Sequence, residues 1–188
     1  MPVTGFQSVR PCDLLQKLAE CSKKVDIGFL FDGTKDVDMS YKGNFQQSLS
    51  LATTLSQLFD ISNASARIAV AVYSNYTDSS FSFDSHLTHA SLRNAIEKIV
   101  YPNGDPRNIG AALNNSMRQL YNEPRPRVPR VLIVTAHDRS SDGVYVASDM
   151  MRRNGVIIYG ISTGGGSDKK HLETIASDPD NAHVFKKT

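Results

Sequence analysis

Apolar positions along the 188-residue chain fall into two kinds of pattern. Short, nearly unbroken runs occur within Val25–Phe31, Ala66–Tyr73, Arg130–Thr135 and Val156–Ile161. Runs of that length, rich in β-branched and aromatic residues, suit strands covered on both faces, as central parallel strands are. Between them the spacing turns helical. Phe45, Leu49, Ala52, Leu55, Leu58 and Phe59 form one stripe within Ser40–Asp60, and Leu92, Ile96 and Ile99 form another behind Thr88, a natural N-cap. Ile109, Ala112, Leu113 and Leu120 mark a helix over Asn108–Tyr121. A further helix over Ser141–Asn154 stops at Gly155, a residue suited to a left-handed C-terminal position. Ser167 caps a last helix running through Ala176, and Ala182–Phe185 is short enough for a closing edge strand. Phe81-Ser82-Phe83, inside Ser79–Asp84, alternates strictly and predicts a half-exposed edge strand. Only Ser74–Asp78 separates it from the strand before, too short for a crossover, so the two should form an antiparallel hairpin.

The resulting order, β-α-β-β-α-α-β-α-β-α-β, predicts an α/β fold. Its sheet is doubly wound, six-stranded and mostly parallel, with one antiparallel edge strand and helices on both faces. Residues 23–188 make one domain, and residues 1–22 an extension in which Leu14, Leu15 and Leu18 lie between Cys12 and Cys21. These cysteines have neither metal nor redox spacing. They are free to pair with each other, to pair outside the chain, or to stay reduced. A composition of 40% hydrophobic and 21% charged residues is ordinary for a globular domain. A net charge of +2 argues for neither a nucleic acid nor an acidic membrane as partner. No apolar run approaches the ~20 residues of a membrane helix, and Met-Pro-Val-Thr-Gly does not open a signal peptide. Arg125, Arg127 and Arg130 alternate with prolines and read as a stiff, solvated connection, with a glycan-binding patch as the other reading. Sequons at Asn63, Asn75 and Asn114 are about as frequent as chance gives in a chain rich in Ser and Thr.

Candidate chemistry gathers where the first strand stops. Asp32-Gly33-Thr34-Lys35-Asp36 places two carboxylates and a hydroxyl beyond a strand's carboxyl end, where open α/β sheets collect ligands. Oxygen donors of that kind suit a hard divalent cation; they equally suit a turn that caps the next helix.

Val25–Thr34, Asn108–Leu113, and Val131–Val134 followed by Arg139-Ser140-Ser141-Asp142 together resemble a von Willebrand factor type A domain, as do Asn154–Ile161 and Leu172–Phe185. The likeness covers about 23–188 and is similar in flavour to the A domains of collagen VI and matrilins. It implies a Rossmann-like fold, an extracellular, secreted setting within a larger multidomain protein, and adhesion to a matrix protein such as collagen. The family's metal-ion-dependent site joins D-x-S-x-S from the first loop, a Thr from the second and an Asp from the third. Here Asp32 and Thr34 fit, Asp36 stands for the second Ser, Arg107 for the Thr and His137 for the Asp. The resemblance therefore implies a degenerate site. A fixed guanidinium within ~4–6 Å opposes a divalent cation, yet its planar fork can take the cation's place between Asp32 and Asp36. On this reading no cofactor binds. The other reading keeps a divalent metal, magnesium or a zinc held by His137 with Asp32 and Asp36. On the metal-free reading, binding would fall to other surfaces, such as the loop tips around Lys35, Tyr76 and Tyr101 or the Arg125–Arg130 connection, with Arg107 and His137 as further binding residues.

An enzyme alternative starts from Phe31-Asp32-Gly33-Thr34, loosely similar to the first motif of haloacid dehalogenase-like phosphoryl-transfer enzymes with Asp32 as nucleophile. Thr34 stands where the acid/base carboxylate is needed, and Val156–Ile161 leads to Ser-Thr-Gly-Gly-Gly rather than an acidic pair. A dinucleotide enzyme lacks its G-x-G-x-x-G after the first strand. The reading is therefore non-catalytic. As for the cysteines, a Cys12–Cys21 bridge would close only a short loop outside a core large enough to stand alone. Cooperative unfolding should survive added reductant, as denaturant titration with and without it will show.

Overall fold

The computed structural model describes residues 24–40, 42–121, 124–163 and 169–186. Cys12, Cys21, the leucines between them and Ser167 lie outside these. Six strands form one sheet: β1 (Val25–Asp32), β2 (Ala66–Tyr73), β3 (Thr77–Phe81), β4 (Arg130–Ala136), β5 (Val156–Ser162) and β6 (Val184–Lys186). Their spatial order is β3-β2-β1-β4-β5-β6. All neighbours are parallel except β2 and β3, which form the hairpin expected from the short Ser74–Asp78 gap, the link itself being Ser74–Tyr76. Seven helices surround the sheet among the described residues: α1 (Asp36–Ser40), α2 (Asn44–Ser56), α3 (His89–Glu97), α4 (Ile109–Gln119), α5 (Tyr145–Arg153), α6 (Lys169–Ile175) and α7 (Asp180–His183). None of them is long and apolar enough to cross a membrane.

Every residue of β1 and β2 is buried, because both faces of the sheet are covered. Ile27, Phe29 and Phe31 face α2 and α3 through Phe45, Leu49, Ala52, Leu92 and Ile96. Leu30 with Leu132 and Val134 of β4 faces α4, α5 and α6 through Ile109, Leu113, Met151 and Leu172. The chain runs from β1 outward to β3, then crosses back to β4 on β1's other side. The strand order therefore reverses between β1 and β4, and the crevice for a ligand lies at their carboxyl ends.

The closing strand starts at Val184, after the one-turn helix α7, rather than at Ala182. Three further boundaries differ from the sequence reading, each for a physical reason. The stripe at Ser40–Asp60 is broken at Gly43, whose φ of 96° no ordinary helical residue adopts. Asp38 accepts the Gly43 and Phe45 amides across the break, and Leu58 ends up half exposed beyond the end of α2. Phe81 and Phe83 are not one alternating face. The chain leaves the sheet after Phe81 and turns at Ser82–Ser85, which drops Phe83 into the opposite core, edge-on to Tyr121 at 5.4 Å. α5 starts at Tyr145 rather than Ser141, because Asp142 is engaged in capping a different helix. Thr88 does cap α3 by accepting the Ser91 amide, and Gly155 does take a positive φ, 76°.

The arginine-rich connection is not simply solvated. Buried Asp26 at the amino end of β1 takes Arg67 through Nε (2.8 Å) and Nη2 (3.0 Å), and Arg125 through Nη2 (2.7 Å). Arg125 also donates to the carbonyls of Val25, Asn63 and Ser65, so it clamps the entrances of two strands. Arg130 donates to the Asn154 carbonyl, while Arg127 remains exposed.

A second buried polar contact sits in the sheet itself. The Tyr121 hydroxyl accepts from the Gly28 amide at 3.1 Å and donates to the Val131 carbonyl at 2.5 Å, bridging β1 and β4. Burial pushes the pKa of this phenol far above its ordinary value. Only glycine leaves room for it: a Cβ on residue 28 would lie 2.4 Å from that oxygen. Gly28→Ala should therefore destabilise the fold by ~2 kcal/mol through overpacking. Tyr121→Phe should cost ~1–2 kcal/mol in lost hydrogen bonds. The double variant should cost less than the sum, since removing the hydroxyl relieves the clash. Urea titrations of the three variants check this; strict additivity would refute the shared-space account.

Candidate functional site

Three loops meet beyond the carboxyl ends of β1 and β4: residues 33–36, residues 101–108 and residues 137–144. The first two are zipped by backbone, with Gly104 N donating to Gly33 O (3.2 Å) and Lys35 N to Gly104 O (2.9 Å). Gly33 is needed for this approach, because a Cβ there would lie 2.7 Å from Val72 and 2.8 Å from Pro102. Tyr101, half-buried, stacks on Phe45 at 4.8 Å and donates its hydroxyl to the Thr34 carbonyl at 2.6 Å. It is thus a strut of the first loop rather than a free tip, whereas Tyr76 is 60% exposed on the hairpin turn.

At the centre is the carboxylate of Asp32, 1% exposed. Its Oδ1 accepts from the Thr34 amide (3.0 Å) and the Thr34 hydroxyl (2.7 Å). Its Oδ2 accepts from Arg107 Nε (2.7 Å) and from the backbone amide of His137 (2.9 Å). Four donors therefore occupy the two oxygens. Arg107, 6% exposed, also donates from Nη2 to Thr34 Oγ1 at 2.5 Å. Asp36 is the outlying member: its Oδ2 is 3.7 Å from Arg107 Nη2 and its side chain is 44% exposed. The fork expected across Asp32 and Asp36 thus closes on Asp32 and the Thr34 hydroxyl instead, because Asp36 already belongs to the first turn of α1. Burial pulls the Arg107 pKa down, but the charge and hydrogen bond of Asp32 outweigh it, and the net shift is upward. The guanidinium is charged at any physiological pH.

His137 contributes its main chain to Asp32. The grouping of His137 with Asp32 and Asp36 that a zinc ion would require is not formed: among the described residues, no three of His, Cys, Asp and Glu lie together so as to hold a metal. Lys35 is outside the buried cluster. It pairs with Asp105 at 2.7 Å, both about half exposed, tying the first loop to the second at the surface.

Several residues at the site carry no signal that sequence spacing reveals. Thr135 accepts the Asp32 amide through Oγ1, and its carbonyl accepts the Tyr73 hydroxyl. Burial, followed by the charge of Asp32, raises the pKa of that phenol well above its ordinary value. Asp142 accepts the Gly110 and Ala111 amides at 2.8 and 2.7 Å, so the third loop caps α4. Ser140 adds its hydroxyl to the Ile109 amide, and its own amide reaches His171 Nε2 of α6 at 3.0 Å. His171 therefore helps to seat the third loop. Contact across this junction is close: a Cβ on Gly110 would lie 2.2 Å from the Gly143 carbonyl oxygen.

Comparison with known proteins agrees with this architecture. Vitrin of Homo sapiens is 32% identical over 165 residues, covering 88% of this chain and 24% of its own length. The collagen alpha-1(XII) chain of Notophthalmus viridescens is 25% identical over 171 residues, 88% of this chain and 18% of its own. The chain thus spans about a quarter or less of these relatives. Among solved structures, proximal thread matrix protein 1 from the mussel byssus, with a zinc-occupied MIDAS motif, superposes with a TM-score of 0.83 at 22% identity, covering 90% of this chain and 45% of that one. The family model described as von Willebrand factor type A domain matches residues 26–188, and the chain belongs to that family.

Proposed function

We propose that this domain is a non-catalytic, extracellular protein-binding module of a matrix protein, that collagen or another matrix protein is its partner, and that it binds without a metal ion. The observation that carries the metal-free part is the buried Arg107–Asp32–Thr34 cluster. A divalent cation needs oxygen lone pairs and resents a fixed positive charge beside it. Here both oxygens of Asp32 are engaged twice, and a guanidinium that cannot shed its proton holds Asp32 and Thr34 together. The residues present do not fit the ion. The mussel protein's structure has a zinc-occupied MIDAS motif; on this reading the Arg107 guanidinium supplies the positive charge in this chain instead of an ion. A partner's carboxylate then has no metal shell to complete, and recognition rests on the outer loop surfaces around Lys35, Asp36 and Tyr76. The relatives among matrix proteins support the setting and the partner class. Catalysis by Asp32 is disfavoured by the same geometry, since a nucleophilic oxygen held by two donors and shielded from solvent is poorly placed for attack.

Calorimetry with magnesium or manganese at millimolar levels should show no binding, and retention on immobilised matrix proteins should be indifferent to chelator. A micromolar magnesium site lost in Asp32→Ala would refute the metal-free reading. Arg107→Thr should leave the Asp32 carboxylate buried without its counter-charge, at a cost of about 3 kcal/mol, or roughly 6–12 °C in Tm for a domain of this size. The double variant Arg107→Thr, His137→Asp restores a hydroxyl and a carboxylate, and its Tm should rise with added magnesium while the parent's does not. A silent Arg107→Thr with no magnesium response in the double variant would show that Arg107 is an ordinary loop residue.

A further inference from the structure

We propose that Asn63 and Asn75 are N-glycosylation sites, that Asn114 is not, and that the Asn75 glycan stands beside the candidate site. The proposal rests on the extracellular setting above; the distinction among the three sequons comes from the fold. A glycan on an asparagine is bulky and hydrophilic, so the folded chain must present that side chain to solvent from a turn or loop. Asn63 is exposed in the turn that precedes β2. Its backbone carbonyl is held by Arg125, which fixes the turn without engaging the side-chain amide. Asn75 is exposed at the tip of the β2–β3 hairpin. Its Oδ1 accepts the Ser74 hydroxyl at 3.0 Å, and its Nδ2 has no partner among the described residues. Asn114 differs in its setting. It is half-buried in the middle of the regular helix α4 rather than exposed in a turn, whereas burial of the sequon hydroxyl does not separate the sites, Ser65 and Ser116 both being buried. A carbohydrate there would have to displace packing that the fold requires.

The step needs a co-reactant of known class, a polyprenyl-diphosphate-linked oligosaccharide. The asparagine Nδ2 forms a bond to the sugar's anomeric carbon as that carbon's bond to the diphosphate oxygen breaks. The lipid diphosphate leaves with the electron pair, and Nδ2 gives up one proton. Transfer takes place on the unfolded chain, and folding then retains only the products it can accommodate.

Position gives the Asn75 glycan a consequence that the Asn63 glycan lacks. Asn108, next to Arg107, donates its amide to the Ser74 carbonyl at 3.0 Å and its Nδ2 to the Asn75 carbonyl at 3.3 Å. In the middle of the same loop, a Cβ on Gly104 would lie 3.2 Å from Asn75 Oδ1. Asn75 thus abuts the loop that delivers Arg107 on both sides of that residue. A glycan there stands next to Tyr76, at the hairpin end of the recognition surface proposed above, so it restricts contact at that end, while Lys35 and Asp36 lie on the first loop. Asn63 sits at the opposite, amino edge of the sheet, beside Arg125.

The test uses the full chain behind a secretion leader in animal cells, so acceptance is measured whatever the natural protein's destination. Material from medium and cells is treated with an amide-cleaving glycosidase in heavy-oxygen water, which converts each carbohydrate-bearing Asn to a labelled Asp. Label is expected at Asn63 and Asn75 and not at Asn114. Asn63→Gln and Thr77→Ala should each abolish one of two glycan-dependent mobility steps, and Asn114→Gln neither. Thr77→Ala retains Asn75 itself, Asn75→Gln provides an independent second variant, and thermal unfolding of each confirms that the fold is intact. Label at Asn114, or its absence from Asn63 or Asn75, overturns the assignment. Failure of the metal-free reading would leave these labels unchanged.

Discussion

The carboxyl edge of the sheet is governed by one requirement: a carboxylate buried at the end of a central strand must be compensated where it stands. Asp32 is inside because β1 is inside, flanked by β2 and β4 and covered on both faces. Its charge then recruits a partner from each of the other loops, Arg107 from the second and the His137 amide from the third. Buried ion pairs in general contribute little net stability relative to apolar groups of the same shape. What the pair supplies instead is position, since three loops can satisfy two oxygens in very few arrangements.

Around that centre the loops are cross-tied by contacts that each join residues about thirty positions or more apart. Asp142 and Ser140 supply the caps that α4's own N-terminal residue does not, Asn108 making no side-chain cap. A helix whose first amides are held by a later loop is stabilised at its start by that loop, so α4 and the third loop are coupled in the folded structure. His171 extends the same unit to α6 through the Ser140 amide.

How much of this was legible follows from the range of the interactions concerned. The strands were legible because a strand buried on both faces reads as an unbroken apolar run, and the hairpin because Ser74–Asp78 is too short for a crossover. Asp32, Thr34 and Arg107 were picked out from spacing and the family pattern, and the structure brings all three together. Elsewhere, the decisive partner was remote. Nothing near Ser141 says that Asp142 caps another helix, and nothing near Phe83 says that the chain has already left the sheet. Arg125 looked solvated among its prolines because its acceptors, Asp26 and three backbone carbonyls, belong to other segments. His137 was weighed for its imidazole, although it is its backbone amide that reaches Asp32.

The parallel run of strands from β1 through β4 and β5 to β6 has a mechanical consequence. The chain enters the sheet at the amino edge with Val25 and leaves it at the carboxyl edge with Lys186. Tension applied between those two points acts along the strands, so each ladder is sheared with its hydrogen bonds strained together rather than peeled one at a time. The weakest ladder in that series is β5–β6, which pairs only Gly160–Ser162 with Val184–Lys186. Under load the closing strand therefore slips first, ahead of the longer β1–β4 and β4–β5 ladders.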